Sequence, residues 1–131
     1  MKNFAPYNSK DFSPPAPVLL ISFALPDEDQ RYGTHSALID TGADGTFVPT
    51  RLIEEMNLPV AYMTNARSYL TEPVRRVAVH TADVILFDSI RLPNVELVAD
   101  DWGDKIIIGR NILNKLRLLL DGPAMKVELL E

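Results

Sequence analysis

The stretch Ser36–Thr50, SALIDTGADGTFVPT, places two aspartates, Asp40 and Asp44, and two glycines, Gly42 and Gly45, between two apolar runs. A calcium loop of the helix–loop–helix kind needs oxygen ligands at its first, third and fifth positions and a bidentate Glu at its twelfth. Counted from Asp40, the third position is Gly42 and the twelfth is Arg51, and the preceding segment reads as a strand. Calcium chemistry is therefore excluded. Asp-Thr-Gly is also a good tight turn in its own right, since Asp accepts backbone hydrogen bonds and Gly supplies positive φ. Taken alone, these residues leave a structural turn and a catalytic turn both open.

The surrounding chain bounds the answer. Its 131 residues, 47% hydrophobic and 24% charged, suit one folded domain with a sizeable core. With 13 basic and 18 acidic residues the formal charge is -5, the wrong sign for a nucleic-acid surface. Arg75-Arg76 reads as a solvated strand face. Without cysteine there is no disulfide, thiolate nucleophile or Cys-based zinc site. His35 and His80 read as ordinary strand residues outside any metal-ligand constellation, so no metal or cofactor is expected. The opening MKNFAPYNSKDF has no apolar core of signal-peptide length, and no segment approaches a membrane span. The expectation is a cytoplasmic protein that engages neither membrane nor nucleic acid.

Outward from the central stretch, the pattern is mainly β. Residues 1–17, with Pro6, Pro14, Pro15 and Pro17, read as a flexible Pro-rich arm, leaving 18–131 as the single domain. PVLLISFAL (Pro17–Leu25) reads as a buried strand, and THSALID as a second that delivers Asp40 to its end. Thr50–Leu58 reads as a short helix capped by Thr50 and closed by Pro59, burying Leu52, Ile53, Met56 and Leu58. Val60 to Val98 is β throughout, with turns at Thr71–Pro73 and Asp88–Pro93. KIIIG reads as a strand buried on both faces, RNILNKL as a helix of about two turns. RLLLDGPAMKVELL reads as two strands joined at Asp121-Gly122-Pro123. So many strands predict a closed, barrel-like sheet with one or two short helices.

Two segments then carry a resemblance. ALIDTGADGTFVP resembles the active-site segment of retroviral-type (retropepsin-like) aspartic proteases, and IIIGRNIL (Ile106–Leu113) resembles the strand, Gly-Arg-Asn and helix that pack behind their catalytic turn. It spans about Val18 to Leu120 and points to the cellular and bacterial branch. What it implies is a retropepsin-like closed β-barrel and an aspartic-type endopeptidase that acts on a peptide or protein substrate. One chain supplies one catalytic Asp where the chemistry uses two carboxylates sharing a proton, so the resemblance implies a homodimer. It further implies that Asp40 is catalytic, that Thr41 bonds across the dimer, and that the Gly42 amide bonds the Asp40 carboxylate. It assigns Asp44 to substrate main chain and to an ion pair with Arg110, and Ala43, Phe47 and Ile107 to the substrate pocket, with Gly109 and Arg110 as support. Phe47 is bulkier than the usual aliphatic residue there and implies a restricted pocket.

The sequence departs from the family in one place. The segment corresponding to the substrate-covering flap, NARSYLTEPVRR (Asn65–Arg76), contains no glycine, and the expected flap tip is the Leu70–Pro73 turn. This keeps open a catalytically silent dimer that binds peptides or assembles with partners. A weaker alternative is a small barrel for an apolar ligand. The apolar C-terminal strands are expected at the dimer interface, since an exposed run of this kind would otherwise promote aggregation.

Overall fold

The structure is a computed structural model that describes residues 3–66 and 74–130. Its strands are β1 (Phe4–Pro6), β2 (Val18–Ala24), β3 (Tyr32–Ile39), β4 (Thr46–Pro49), β5 (Val60–Ala66), β6 (Arg75–Leu86), β7 (Ile90–Asp100), β8 (Ile106–Ile108), β9 (Arg117–Asp121) and β10 (Lys126–Leu130). Two short helices are α1 (Thr50–Glu55) and α2 (Arg110–Leu113). The main sheet runs β2-β3-β8-β4-β7-β6-β5, and β2 also pairs with β6. That extra pairing closes six strands into a barrel and leaves β5 as a flange outside it, in agreement with the mainly β, closed-barrel expectation. Closure also removes the free edges that an open six-stranded sheet would expose.

Apolar residues alternate into the barrel. Leu19, Ile21, Phe23, Ala37, Val48, Leu97 and Ile108 are buried there, with Ile112 of α2 sealing one end. Leu52, Ile53, Met56 and Leu58 are buried as their spacing predicts. The cap differs: Pro49 occupies the N-cap of α1, and the Thr50 hydroxyl bonds the Asp101 carboxylate instead of the helix backbone. A loop close in space offers Thr50 a charged acceptor that no local pattern announces. β8 is buried at Ile106 and Ile108 but only half-buried at Ile107, and α2 makes a single turn rather than two. The turn between β6 and β7 lies at Phe87–Ser89, so Ile90–Pro93 belongs to the strand; Thr71–Pro73 lies outside the described residues.

The N-terminal segment is a correction. Read from its prolines as a free arm, it carries β1, which pairs antiparallel with β10 and buries Ala5 completely. The amides of Leu129 and Tyr7 donate to Asn3 and Met125 carbonyls at 2.7 and 2.8 Å. Pro6 ends an edge strand, a position where a missing N–H is harmless. A three-residue strand recruited by a partner more than a hundred residues away has no periodicity to read. The three-stranded sheet β1-β10-β9 therefore joins both ends of the chain, with β9 at its edge.

One buried ion pair pins the β6–β7 hairpin. Asp83, 3% exposed, accepts from Arg91 Nε at 2.8 Å and from the Asn94 amide at 2.9 Å, while Arg91 also donates to the Glu28 carbonyl at 2.7 Å. Burial alone would raise the Asp83 carboxyl, but the bonds from Asn94 and Arg91 outweigh it and hold it below its ordinary value. A carboxyl depressed in the folded state stabilises the fold fully above the unfolded value, and loses that contribution as pH falls through the folded one. Arg91→Met should therefore lower stability at neutral pH by about 2 kcal/mol, because it leaves a buried carboxylate short of its charged donor. The same variant should flatten the acid limb of a denaturation series. An unchanged pH dependence would contradict this role.

Candidate active site

Strand β3 ends at Ile39, and Asp40 follows with its amide bonded to the Ile108 carbonyl of β8 at 3.0 Å. The chain then turns on itself. The Gly42 amide donates to Asp40 Oδ1 at 2.9 Å, and the Ala43 amide donates to the Asp40 carbonyl at 3.2 Å. This is the Asp-stabilised turn that the residue types suggest. One carboxylate oxygen is thereby oriented by backbone, and Asp40 remains half-exposed at the mouth of the turn.

The Gly-Arg-Asn segment packs behind it through backbone. The first amides of α2, which have no acceptors within the helix, donate to the loop: Arg110 to the Ala43 carbonyl at 2.8 Å, and Asn111 to the Asp44 carbonyl at 3.2 Å. The approach is close enough that a Cβ on Gly109 would lie 2.0 Å from the Gly45 carbonyl oxygen. Behind the turn, the fully buried Thr46 hydroxyl accepts from the Gly109 amide at 3.2 Å and donates to Asn111 Oδ1 at 2.7 Å. Asn111 Nδ2 then donates to the Glu96 carbonyl at 3.0 Å.

Arg110 makes the expected contact with Asp44 and a second, shorter one. Its Nη1 donates to the Thr41 carbonyl at 2.8 Å, whereas Nη2 lies 3.7 Å from Asp44, whose side chain is 97% exposed. A contact so long and so solvated contributes at most about 1 kcal/mol. Arg110 acts on the turn chiefly by holding the Thr41 carbonyl. The Thr41 side chain is itself exposed.

Strand register shows which residues share a face with Asp40. Leu38 pairs with Ile107, Ile107 with Phe47, and Phe47 with Val98. All four are half-buried, in contrast to their fully buried neighbours Ala37, Val48 and Ile108. Because side chains alternate along a strand, Asp40 lies on the side of Leu38. The strip Leu38–Ile107–Phe47–Val98 is thus an apolar floor beside the carboxylate, and it contains Phe47 and Ile107. Ala43 sits in the turn, half-buried. Leu38 and Val98 were not anticipated. Leu38 was accessible from alternation alone, but Val98 depends on a parallel pairing with β4 that only the fold shows.

The β6–β7 register ends at Val79–Val98, beyond which β6 extends back to Arg75 and β7 ends at Asp100. The Arg75 guanidinium stacks 3.9 Å from the Trp102 ring centroid, and Trp102 is 60% exposed. Arg75 and Arg76 are both solvated, as their sequence suggested. His80 is buried, its Nδ1 within 3.0 Å of the Leu58 and Pro59 carbonyls, and is structural.

Comparison with known proteins agrees with this geometry. A family model described as aspartyl protease matches residues 29–112, which include the Asp40 turn and Gly-Arg-Asn. The fold resembles the crystal structure of a retropepsin-like aspartic protease from Rickettsia conorii, with a TM-score of 0.62 at 12% identity over 98% of this chain and 93% of that one. It also overlaps the retroviral protease-like domain of Ddi1 from Leishmania major, with a TM-score of 0.47 at 14% identity over 88% of this chain and 96% of that one. No curated protein matches the sequence. With the matched segment covering more than half of the chain and the barrel built around its Asp-Thr-Gly turn, the protein belongs to the aspartyl protease family and has a retropepsin-like fold.

Proposed function

We propose that two copies of this chain form an aspartic endopeptidase whose active site is the pair of Asp40 carboxylates at the two-fold axis. The observation that carries the reading is the Asp40 turn: a half-exposed carboxylate with one oxygen held by the Gly42 amide, next to an apolar floor. Two carboxylates that meet at an axis cannot both ionise, so they share one proton. The ionised Asp40 takes a proton from water, and the oxygen of that water bonds to the substrate carbonyl carbon. The protonated Asp40 gives its proton to the carbonyl oxygen. Collapse of the resulting diol, with proton transfer to nitrogen, then breaks the C–N bond. Gly42 orients the carboxylate, Thr41 reaches toward the partner's turn, and Gly109 and Arg110 hold the turn from behind. Ala43, Asp44, Phe47 and Ile107 face the peptide, with Leu38 and Val98 added to the floor.

The dimer is supported by the three-stranded sheet. β9 is one of its two edge strands, with Leu119 44% and Leu120 47% exposed on opposite faces, and Leu130 of β10 is also exposed. An edge this apolar calls for a covering strand or partner. Leu119→Lys combined with Leu120→Lys should weaken self-association at least about tenfold, as charges on an edge strand oppose pairing. Cleavage by this variant should return as its concentration is raised. Full activity from a variant that remains monomeric at every concentration in sedimentation would refute the dimeric reading. Retained peptide binding with no cleavage of a diverse peptide library between mildly acidic and neutral pH would favour instead the silent peptide-binding dimer that the glycine-free 65–76 segment keeps open.

A further inference from the structure

The polar chain behind the catalytic turn does not stop at Asn111. Glu96, whose carbonyl accepts from Asn111 Nδ2, uses its carboxylate to accept from the Tyr62 hydroxyl at 2.7 Å. Tyr62 belongs to β5, the flange outside the barrel, and Glu96 to β7, with β6 lying between them. In register, Tyr62 pairs with Val79 and Val79 with Val98. The phenol therefore crosses an intervening strand on the same face that carries the apolar floor. The bond also raises the Tyr62 hydroxyl above its ordinary titration range, since the Glu96 carboxylate accepts its hydrogen. An unbroken path thus runs from Tyr62 through Glu96, Asn111 and Thr46 to the Gly109 amide, every link 3.2 Å or shorter apart from the Glu96 residue itself.

We propose that Tyr62 and Glu96 are positioning residues that couple β5 to the Asp40 turn. Among the described residues β5 is paired on one edge only, so its position beside the floor depends on what ties it down across β6. The Tyr62–Glu96 bond supplies that tie at the residue whose carbonyl anchors Asn111. Displacing β5 pulls on Glu96, and the displacement passes through Asn111 and Thr46 to the Gly109 amide, which donates to Thr46, and to the Asn111 amide, which donates to the Asp44 carbonyl. Conversely, a peptide that packs on this face against β5 tightens the same path. The activity arm of this inference rests on the endopeptidase reading; the coupling itself does not.

The test uses the intact chain, four single variants and one double variant. Tyr62→Phe removes the hydroxyl and keeps the ring. Glu96→Ala removes the acceptor, Glu96→Gln restores one, and Met63→Ala alters the neighbouring side chain on the opposite face of β5. Amide hydrogen exchange is measured at Gly109 and Asn111. Faster exchange at both, by about threefold or more, is expected in Tyr62→Phe and Glu96→Ala, with Glu96→Gln and Met63→Ala close to wild type. In a cleavage assay, Tyr62→Phe should lose about tenfold in kcat with a smaller change in KM, and the Tyr62→Phe, Glu96→Ala double variant should lose no more than either single one. Unchanged exchange at Gly109 and Asn111 in Tyr62→Phe overturns the coupling whether or not the protein cleaves peptides. Absence of cleavage by the wild type alongside altered exchange instead sinks the endopeptidase reading and leaves the coupling standing.

Discussion

Replacing Asp40 by Asn should abolish peptide-bond cleavage, by on the order of a thousandfold or more in kcat, while leaving the melting temperature close to wild type. The amide keeps an oxygen for the Gly42 N–H, which donates at 2.9 Å, so the turn survives. What is lost is the proton inventory. Asn neither takes a proton from water nor gives one to a carbonyl, so neither half of the reaction has its acid or base. Asp40 is half-exposed, and its backbone amide bond to Ile108 does not depend on the side chain. Folding and catalysis should therefore separate cleanly in this variant. A thermal melt beside a peptide assay checks both, and a variant that is fully folded and still active would remove Asp40 from the mechanism.

Gly109→Ala should have the largest effect on the fold of any single methyl group added near the site. Its new carbon would lie 2.0 Å from the Gly45 carbonyl oxygen and 2.9 Å from that of Ala43. Both contacts are to backbone, so no side-chain rotation relieves them. Either α2 retreats, stretching the Arg110 and Asn111 amide bonds to the loop, or the Asp40 turn is pushed outward. The cost is on the order of 3 kcal/mol, the upper range for forced overpacking. Catalysis should fall even in the fraction that folds, because the amides that hold the turn are displaced. Gly122→Ala is a suitable control, since a Cβ there meets nothing within 4 Å. Chemical denaturation of the two variants gives the comparison. Equal stability of Gly109→Ala and wild type would show that the turn does not need this close approach.

The contrast between what was legible in the sequence and what was not follows the range of the interactions. Asp40-Thr41-Gly42 and Gly109-Arg110-Asn111 are short strings whose residue types serve their own turn and helix start, and both sit where the pattern put them. The buried face of α1 was likewise readable from spacing. The floor was only half readable. Leu38 and Ile107 lie in different strands, and their contact depends on a parallel pairing between β3 and β8 that no local signal encodes. Thr46 and Asn111 look like ordinary polar residues in sequence, yet the barrel buries the Thr46 hydroxyl and gives it both partners. The Asp44–Arg110 pair is present at 3.7 Å, but the shorter bond from the same guanidinium to the Thr41 carbonyl was not legible, because it depends on the folded turn. Proline content misled at the N-terminus for a similar reason: β10 supplied pairing to residues with no strand signature of their own.

The central claim is that each active site is made from two chains, and subunit mixing tests it most directly. Wild-type chains are combined with Asp40→Asn chains, dissociated and reassociated at random, and cleavage is measured against the wild-type fraction. If both carboxylates are required, only dimers of two wild-type chains are active, so an equal mixture retains about one quarter of the activity and the dependence is quadratic. A linear dependence, with about half of the activity retained in the equal mixture, would mean that each chain carries a complete site and would contradict the account.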